Sequence, residues 1–136
     1  MMTRMMTLSL QMLLLFVIGC GNNNQKLTGT VTFSDDGSPV KAGTVIMESN
    51  NKMGRGSIDE NGKFVMGFGS DRDGIPKGET YKVSITNAVE KTGTDKSGMP
   101  ILTPLIDAKY DNPNTSGLTF TADGTNKTLD LKVDRY

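Results

Sequence analysis

Side chains alternate with a period of two through much of this chain, and that rhythm constrains the fold more than any other feature. Leu27, Gly29, Val31 and Phe33 alternate with Thr28, Thr30, Thr32 and Ser34. Successive side chains of an extended strand face opposite ways, so such a run gathers its apolar members on one face and its hydroxyls on the other. Val45 and Met47 repeat the pattern between Thr44, Ile46 and Glu48, and Arg55 to Ile58 reads as a short third strand. Phe64, Met66 and Phe68 share a face, as do Tyr81, Val83 and Ile85, then Leu118 and Phe120, then Leu129, Leu131 and Val133. Turn clusters punctuate these runs: Asp35-Asp36-Gly37-Ser38-Pro39, Asn50-Asn51, Asp59-Glu60-Asn61-Gly62 and Asp123-Gly124. Gly62 is the residue of its turn that can take a positive φ. No helical period of useful length follows residue 25. The pattern predicts an all-β domain over residues 26–136, a seven-stranded antiparallel β-sandwich. Its core is expected to centre on Phe33, Phe64, Phe68, Val83, Leu118 and Leu131. The absence of tryptophan and the single cysteine exclude the antibody-type core signature.

Ahead of the strands the pattern changes. Arg4 and a methionine-rich start precede an apolar stretch from Leu8 to Ile18, interrupted by Gln11 and followed by Gly19 and Cys20. A positive start, a short apolar core and a small residue before the cut are the three parts of an export signal. The stretch is shorter than the ~20 residues a spanning helix needs. Val17-Ile18-Gly19-Cys20 resembles the lipobox of bacterial lipoproteins. That resemblance implies cleavage between Gly19 and Cys20, and attachment of a diacylglycerol and a fatty acid such as palmitate to Cys20. Residues 1–19 are then a signal peptide and residues 20–25 a lipidated cysteine with a short polar tether. Five residues reach at most ~17 Å, so the domain is expected to ride close to the bilayer.

Charge and cysteine content narrow the classes further. Fifteen basic residues balance 15 acidic ones, and no basic stripe offers the electrostatic footprint of nucleic-acid binding. No polybasic cluster adjoins Cys20 to supply a second membrane signal, so the acyl chains must anchor the protein. With one cysteine, no intrachain disulfide can form.

The strands and turns also resemble a known family. Gly29-Thr30-Val31, then Gly37-Ser38-Pro39-Val40 with Ala42 and Val45, is similar to the opening of carboxypeptidase-regulatory-like, or transthyretin-like, domains. Their next signature, Gly-x-Thr-Asp-x-x-Gly-x-Phe, is matched by Gly56-Ser57-Ile58-Asp59-Glu60-Asn61-Gly62-Lys63-Phe64, with Ile58 in place of threonine. Pro76 to Val83 follows their Gly-x-Tyr-x-Val strand with one extra residue before Tyr81, which a β-bulge would absorb. The segment Lys109-Tyr110 to Thr115-Ser116-Gly117-Leu118 resembles small lipoproteins abundant in planctomycete-type bacteria, with Asp107 where proline is common. The resemblance implies a fold and an address. It carries no activity.

Histidine is absent from the chain, which removes the usual general base, the Ser-His and Cys-His pairs and the commonest metal ligand. Carboxylate pairs could in principle hydrolyse a glycan, yet nearly every aspartate sits in a turn that its side chain stabilises. Asp35-Asp36-Gly37 and Asp71-Arg72-Asp73-Gly74 invite a calcium reading, but Ile75 and Pro76 spoil an EF-hand spacing. No catalytic residue, cofactor or metal ligand is therefore assigned. The stretch from Ala88 to Gly117 is longer than strand reversal requires. Its Met99, Ile101, Leu102, Leu105 and Ile106 either cover an open end of the sandwich or, together with Tyr110, meet a partner.

The sequence thus points to a non-catalytic, lipid-anchored cell-envelope protein. Its sandwich is expected to act as a binding or structural module, held to the membrane by lipid and touching an envelope protein or glycan, with no nucleic-acid partner. The alternatives are a small-ligand, carbohydrate or calcium-binding envelope lipoprotein and, more remotely, a carboxylate-dependent glycan hydrolase. If each strand reverses direction, the turns at residues 35–43 and 59–62 and the segment 88–117 gather at the end away from the tether. By analogy with the known retention rule, Gly21 in place of aspartate favours the outer membrane in a diderm host. A Cys20→Ala precursor is expected to lose labelled fatty acid and to leave the membrane fraction; normal acylation of that variant would overturn the assignment.

Overall fold

The computed structural model of the protein describes residues 23–69 and 73–136. The apolar run, Gly19 and Cys20 lie outside the described residues. Among the described residues eleven strands form, together with one 3-10 turn, Ala108–Asp111. The seven expected strands are all present: β2 (Thr28–Phe33), β3 (Thr44–Ser49), β4 (Lys52–Ser57), β5 (Lys63–Val65), β7 (Thr80–Thr86), β10 (Leu118–Thr121) and β11 (Thr128–Val133). Four more were not foreseen: β1 (Asn24–Gln25), β6 (Ile75–Pro76), β8 (Val89–Thr94) and β9 (Pro100–Pro104).

A four-stranded sheet runs β10-β7-β3-β4 and a three-stranded sheet runs β11-β2-β5. Their apolar faces meet: Val31, Phe33, Phe64, Leu131 and Val133 from one sheet are buried with Val45, Met47, Tyr81, Val83, Ile85 and Phe120 from the other. Of the six expected core residues, Phe33, Phe64, Val83 and Leu131 are buried, while Phe68 and Leu118 are partly buried against the same core. The sandwich is not wholly antiparallel. β11 pairs with β2 in parallel, from Thr128↔Thr28 to Val133↔Phe33. Strict reversal along the seven main strands makes the first and last run the same way, so when these two become neighbours they must pair in parallel.

Inward positions occupied by glycine are filled from neighbouring strands. Gly29 pairs directly with Phe64 across β2 and β5, and a Cβ on Gly29 would run into the Phe64 ring and the Leu129 carbonyl. Gly54 is overlain in the same way by the ring of Phe68, which itself packs tilted against Tyr81 at 5.4 Å between centroids. The β3–β4 turn is tight, with Asn50 and Asn51 both at positive φ, as a two-residue hairpin requires. Gly62 takes φ 76° in its turn, as the sequence predicts.

Three local expectations are corrected. The fourth strand ends at Val65; Met66 stays buried, but Gly67 turns aside to bridge Arg55 and Gly74. No bulge interrupts β7, which keeps continuous register with β3 and β10; the extra residue is absorbed beforehand, where Gly78 takes φ 89°. The tether assigned to residues 20–25 is partly folded: Asn24 and Gln25 pair with Pro76 and Ile75. Gln25 is buried, its amide donating to the Asn126 carbonyl at 2.8 Å and its side-chain oxygen accepting from the Gly124 N–H at 2.7 Å.

These bonds gather Asn23–Gln25, Gly74–Gly78 and Gly124–Asn126 at one end of the sandwich. At the other end lie the 35–43 and 59–62 turns, the chain after Thr86 and the residues following β11, drawn together by Ile58 N–H on the Gly43 carbonyl and by Arg135 on Asp35. Phe64→Ala should cost about 3–5 kcal/mol, since it empties the ring that fills the space over Gly29. Thr30→Ala removes one exposed hydroxyl bond to Asp130 and should cost about 1 kcal/mol or less. Similar urea midpoints for the two variants would contradict this register.

Candidate functional site: a projecting arm and its base

The 88–117 segment is not one irregular loop. Its first half is a hairpin, β8 with β9, that pairs with no other strand among the described residues. Asp95 builds the tip: its Oδ1 accepts from the N–H groups of Ser97 and Met99 and from the Ser97 hydroxyl, and Gly98 closes the turn at φ 88°. The register shifts between Lys91 and Gly93 at a bulge, beside which the Thr92 and Thr103 hydroxyls pair at 2.9 Å. Ile101 and Leu102 are adjacent in β9 and so fall on opposite faces of the ribbon. They are 46% and 57% exposed, and Met99 at the tip is 62% exposed.

The apolar residues of the segment therefore divide. Ile106 is buried and Leu105 packs against the core, closing the sandwich as a cover would. Met99, Ile101 and Leu102 project. Tyr110, grouped with them by the sequence, is 4% exposed and belongs to the core instead. Its hydroxyl donates to the Asp134 carboxylate at 3.2 Å and accepts from the Asp134 N–H at 3.1 Å. The 3-10 turn that carries it is capped by Asp107, which accepts from the Lys109 N–H, and packs on β7. A lone tyrosine among polar residues carries no period to show which way it points.

Around the arm's base the charged groups are committed to holding the chain ends together. Arg135 donates to Asp35 at 2.8 Å and to Asp36 at 3.0 Å, with its guanidinium over the Phe33 ring at 3.7 Å. The Asp35–Asp36 pair read as a calcium candidate is thus occupied by a cation of the chain itself. The second candidate lies partly outside the described residues, and its Asp73 accepts from the Phe68 and Gly69 N–H groups. Lys109 reaches Asp134 at 2.7 Å, and Ser34 donates to the same carboxylate. A cleft of about 270 Å³ opens beside the arm, walled by Ala88, Val89, Pro104 and Tyr136 with Asp107 and Asp111.

A larger, open and polar cleft of about 800 Å³ lies at the opposite end, by Asn50, Asn51, Glu79 and Lys82. Lys52 pairs there with Glu79 at 2.8 Å, and Lys82 donates to Asn114 at 2.9 Å. Met53 is the one large apolar side chain in its lining, and no aromatic ring offers a platform for a sugar.

No family model matches the chain, and no curated protein does either. Among solved structures it resembles the BcpA major pilin subunit of Bacillus cereus, at 20% identity and TM-score 0.51 over 83% of this chain. That likeness shows a β-sandwich. The chain spans 30% of the pilin subunit's length. A 9R-lipoxygenase from Cyanothece aligns more loosely, at 18% identity and TM-score 0.39 over 81% of this chain and 16% of that one.

Acid should loosen the base of the arm. Asp134 is held down to about 2 from 3.8, first by the Lys109 hydrogen bond and then by the Ser34 hydroxyl. Asp36 is held at about 2 by the Ser38 hydroxyl first, with the Arg135 charge adding to it. A lowered carboxyl stabilises the fold above its unfolded value and loses that contribution as protons bind. Urea midpoints are expected to fall as pH drops from about 3.8 toward 2, and Asp134→Asn should flatten part of that limb. An unchanged acid limb in the variant would show that the cluster does not act on stability.

Proposed function

We propose that this chain is a lipid-anchored, non-catalytic protein of the cell envelope, outer-membrane in a diderm host. Its sandwich is a binding or structural module, and the β8–β9 arm makes its contact. One observation carries this reading: the arm exposes Met99, Ile101 and Leu102, the last two on opposite faces of the ribbon, away from the core and at the end opposite Asn23. Apolar side chains held in water on a separate hairpin gain nothing for the fold, and exposed clusters of this kind mark interaction sites. With Cys20 as the anchor, paired backbone begins close to it, where Asn24 meets Pro76. Little room is left beneath the domain, and the arm sits at the end clear of the bilayer.

The finer fold assignment, transthyretin-like or carboxypeptidase-regulatory-like, belongs to the same proposal. Its support is that the Gly56–Phe64 motif builds the β4–β5 connection, with Asp59 accepting from the Asn61 and Lys63 N–H groups. The non-catalytic reading is supported by the engagement of carboxyls within the fold: Glu79, Asp134 and Asp36 hold Lys52, Lys109 and Arg135 of the chain itself. A small-ligand reading points to the 800 Å³ polar cleft; a saturable thermal shift with a glycan would favour it.

Crosslinking in the native envelope tests the main reading. Ile101→Asp and Leu102→Asp should abolish the arm's crosslinks while leaving the melting temperature unchanged, because neither side chain is in the core. A lowered melting temperature, or crosslinks that map mainly to residues 69–80 at the other end, would overturn it.

A further inference from the structure

The arm cannot recruit a partner by simple strand addition. The Leu105 N–H bonds inward to the Ala88 carbonyl, and the Met99 carbonyl accepts from the Asp95 N–H. Backbone groups of an antiparallel strand alternate between its two sides, so Ile101 and Thr103 also face β8. The outer edge of β9 therefore belongs to Pro100, Leu102 and Pro104, and the two prolines have no N–H to offer. β8 carries the bulge and Lys91 on its own free edge, which blunts it as well. Recognition must run through side chains.

We propose that the occupant is a second copy of this chain, in a two-fold handshake of antiparallel arms; this rests on reading the arm as the interaction element. In that arrangement the tip of each copy enters the cleft at the base of the other copy's arm. Met99 meets the apolar wall of Ala88, Val89, Pro104 and Tyr136, while Ile101, two residues on and so on the same face as Met99, packs near the axis. The reach fits: tip and base are about five residues apart, roughly 17 Å of strand. So does the charge. Lys96 stands at the tip without an ion-pair partner among the described residues, and Asp107 and Asp111 line the cleft with none either. Projection and cleft lie at the same end of one molecule. Reciprocal exchange therefore closes as a dimer and does not propagate as a filament.

Sedimentation equilibrium of the full chain in detergent tests this. The wild-type chain should dimerise, and Ile101→Asp combined with Leu102→Asp should raise the dissociation midpoint at least about tenfold with an unchanged melting temperature. Lys96→Asp and Asp111→Lys should each weaken the dimer, and together they should restore it. A monomeric wild-type chain, or a failed charge-swap rescue, would overturn the second-copy proposal. If that monomer still lost its envelope crosslinks on Ile101→Asp, the arm reading would stand without it. Crosslinks that survived would sink both.

Discussion

Two aromatic rings laid over glycines hold the sandwich in register. Phe64 of β5 lies over Gly29 of β2, and Phe68 lies over Gly54 of β4. In each case the missing side chain on one strand makes the space that a ring from β5 or from the segment just after it fills, so a shifted alignment breaks the fit. A slip of one residue would turn Phe64 to solvent and bring Lys63 or Val65 toward Gly29, exchanging the two faces of the strand. The first ring fixes the three-stranded sheet and the second joins its edge to the four-stranded one. The buried packing of Tyr81, Met47 and Val31 follows from that alignment.

The polar and charged residues divide their work by position. At the end near Asn23, the buried Gln25 side chain bonds two backbone groups of the 124–126 turn and seals the entry of the chain. At the far end, exposed pairs staple the residues after β11 to the first turn and to the 3-10 helix. Exposed pairs contribute little each. Here several share Arg135 and Asp134, so the cluster fixes where the chain leaves the sheet and, with it, the base of the arm.

Most of the sandwich was legible because its strands have one wet and one dry face. Val31, Val83 and Leu131 repeat every second residue, and that repeat is the burial pattern. The arm escaped for the converse reason: Val-Glu-Lys-Thr-Gly-Thr in β8 is solvated on both faces, so no alternation marks it. A signal was nonetheless present in Asp95-Lys96-Ser97-Gly98, a turn cluster between β-branched residues. β1 and β6 are two residues each and pair through tertiary contact that no local pattern encodes. Tyr110 was misplaced because its burial depends on Asp134, distant in sequence. Leu105 and Ile106 divide from Ile101 and Leu102 at Pro104, where the hairpin rejoins the body.

The parallel pairing of β2 with β11 also has a temporal side. Thr30 and Asp130 face each other across a separation of 100 residues. Closing so long a loop is entropically costly, and topologies built on such contacts fold slowly. A chain delivered with its beginning first exposes β2 long before β11 exists to flank it. The smaller sheet cannot be completed until the last strand has arrived. For a protein threaded unfolded across a membrane, as the proposed address requires, such a delay is useful. On that proposal, the sequence order of the strands would postpone the compact state until nearly the whole chain had crossed.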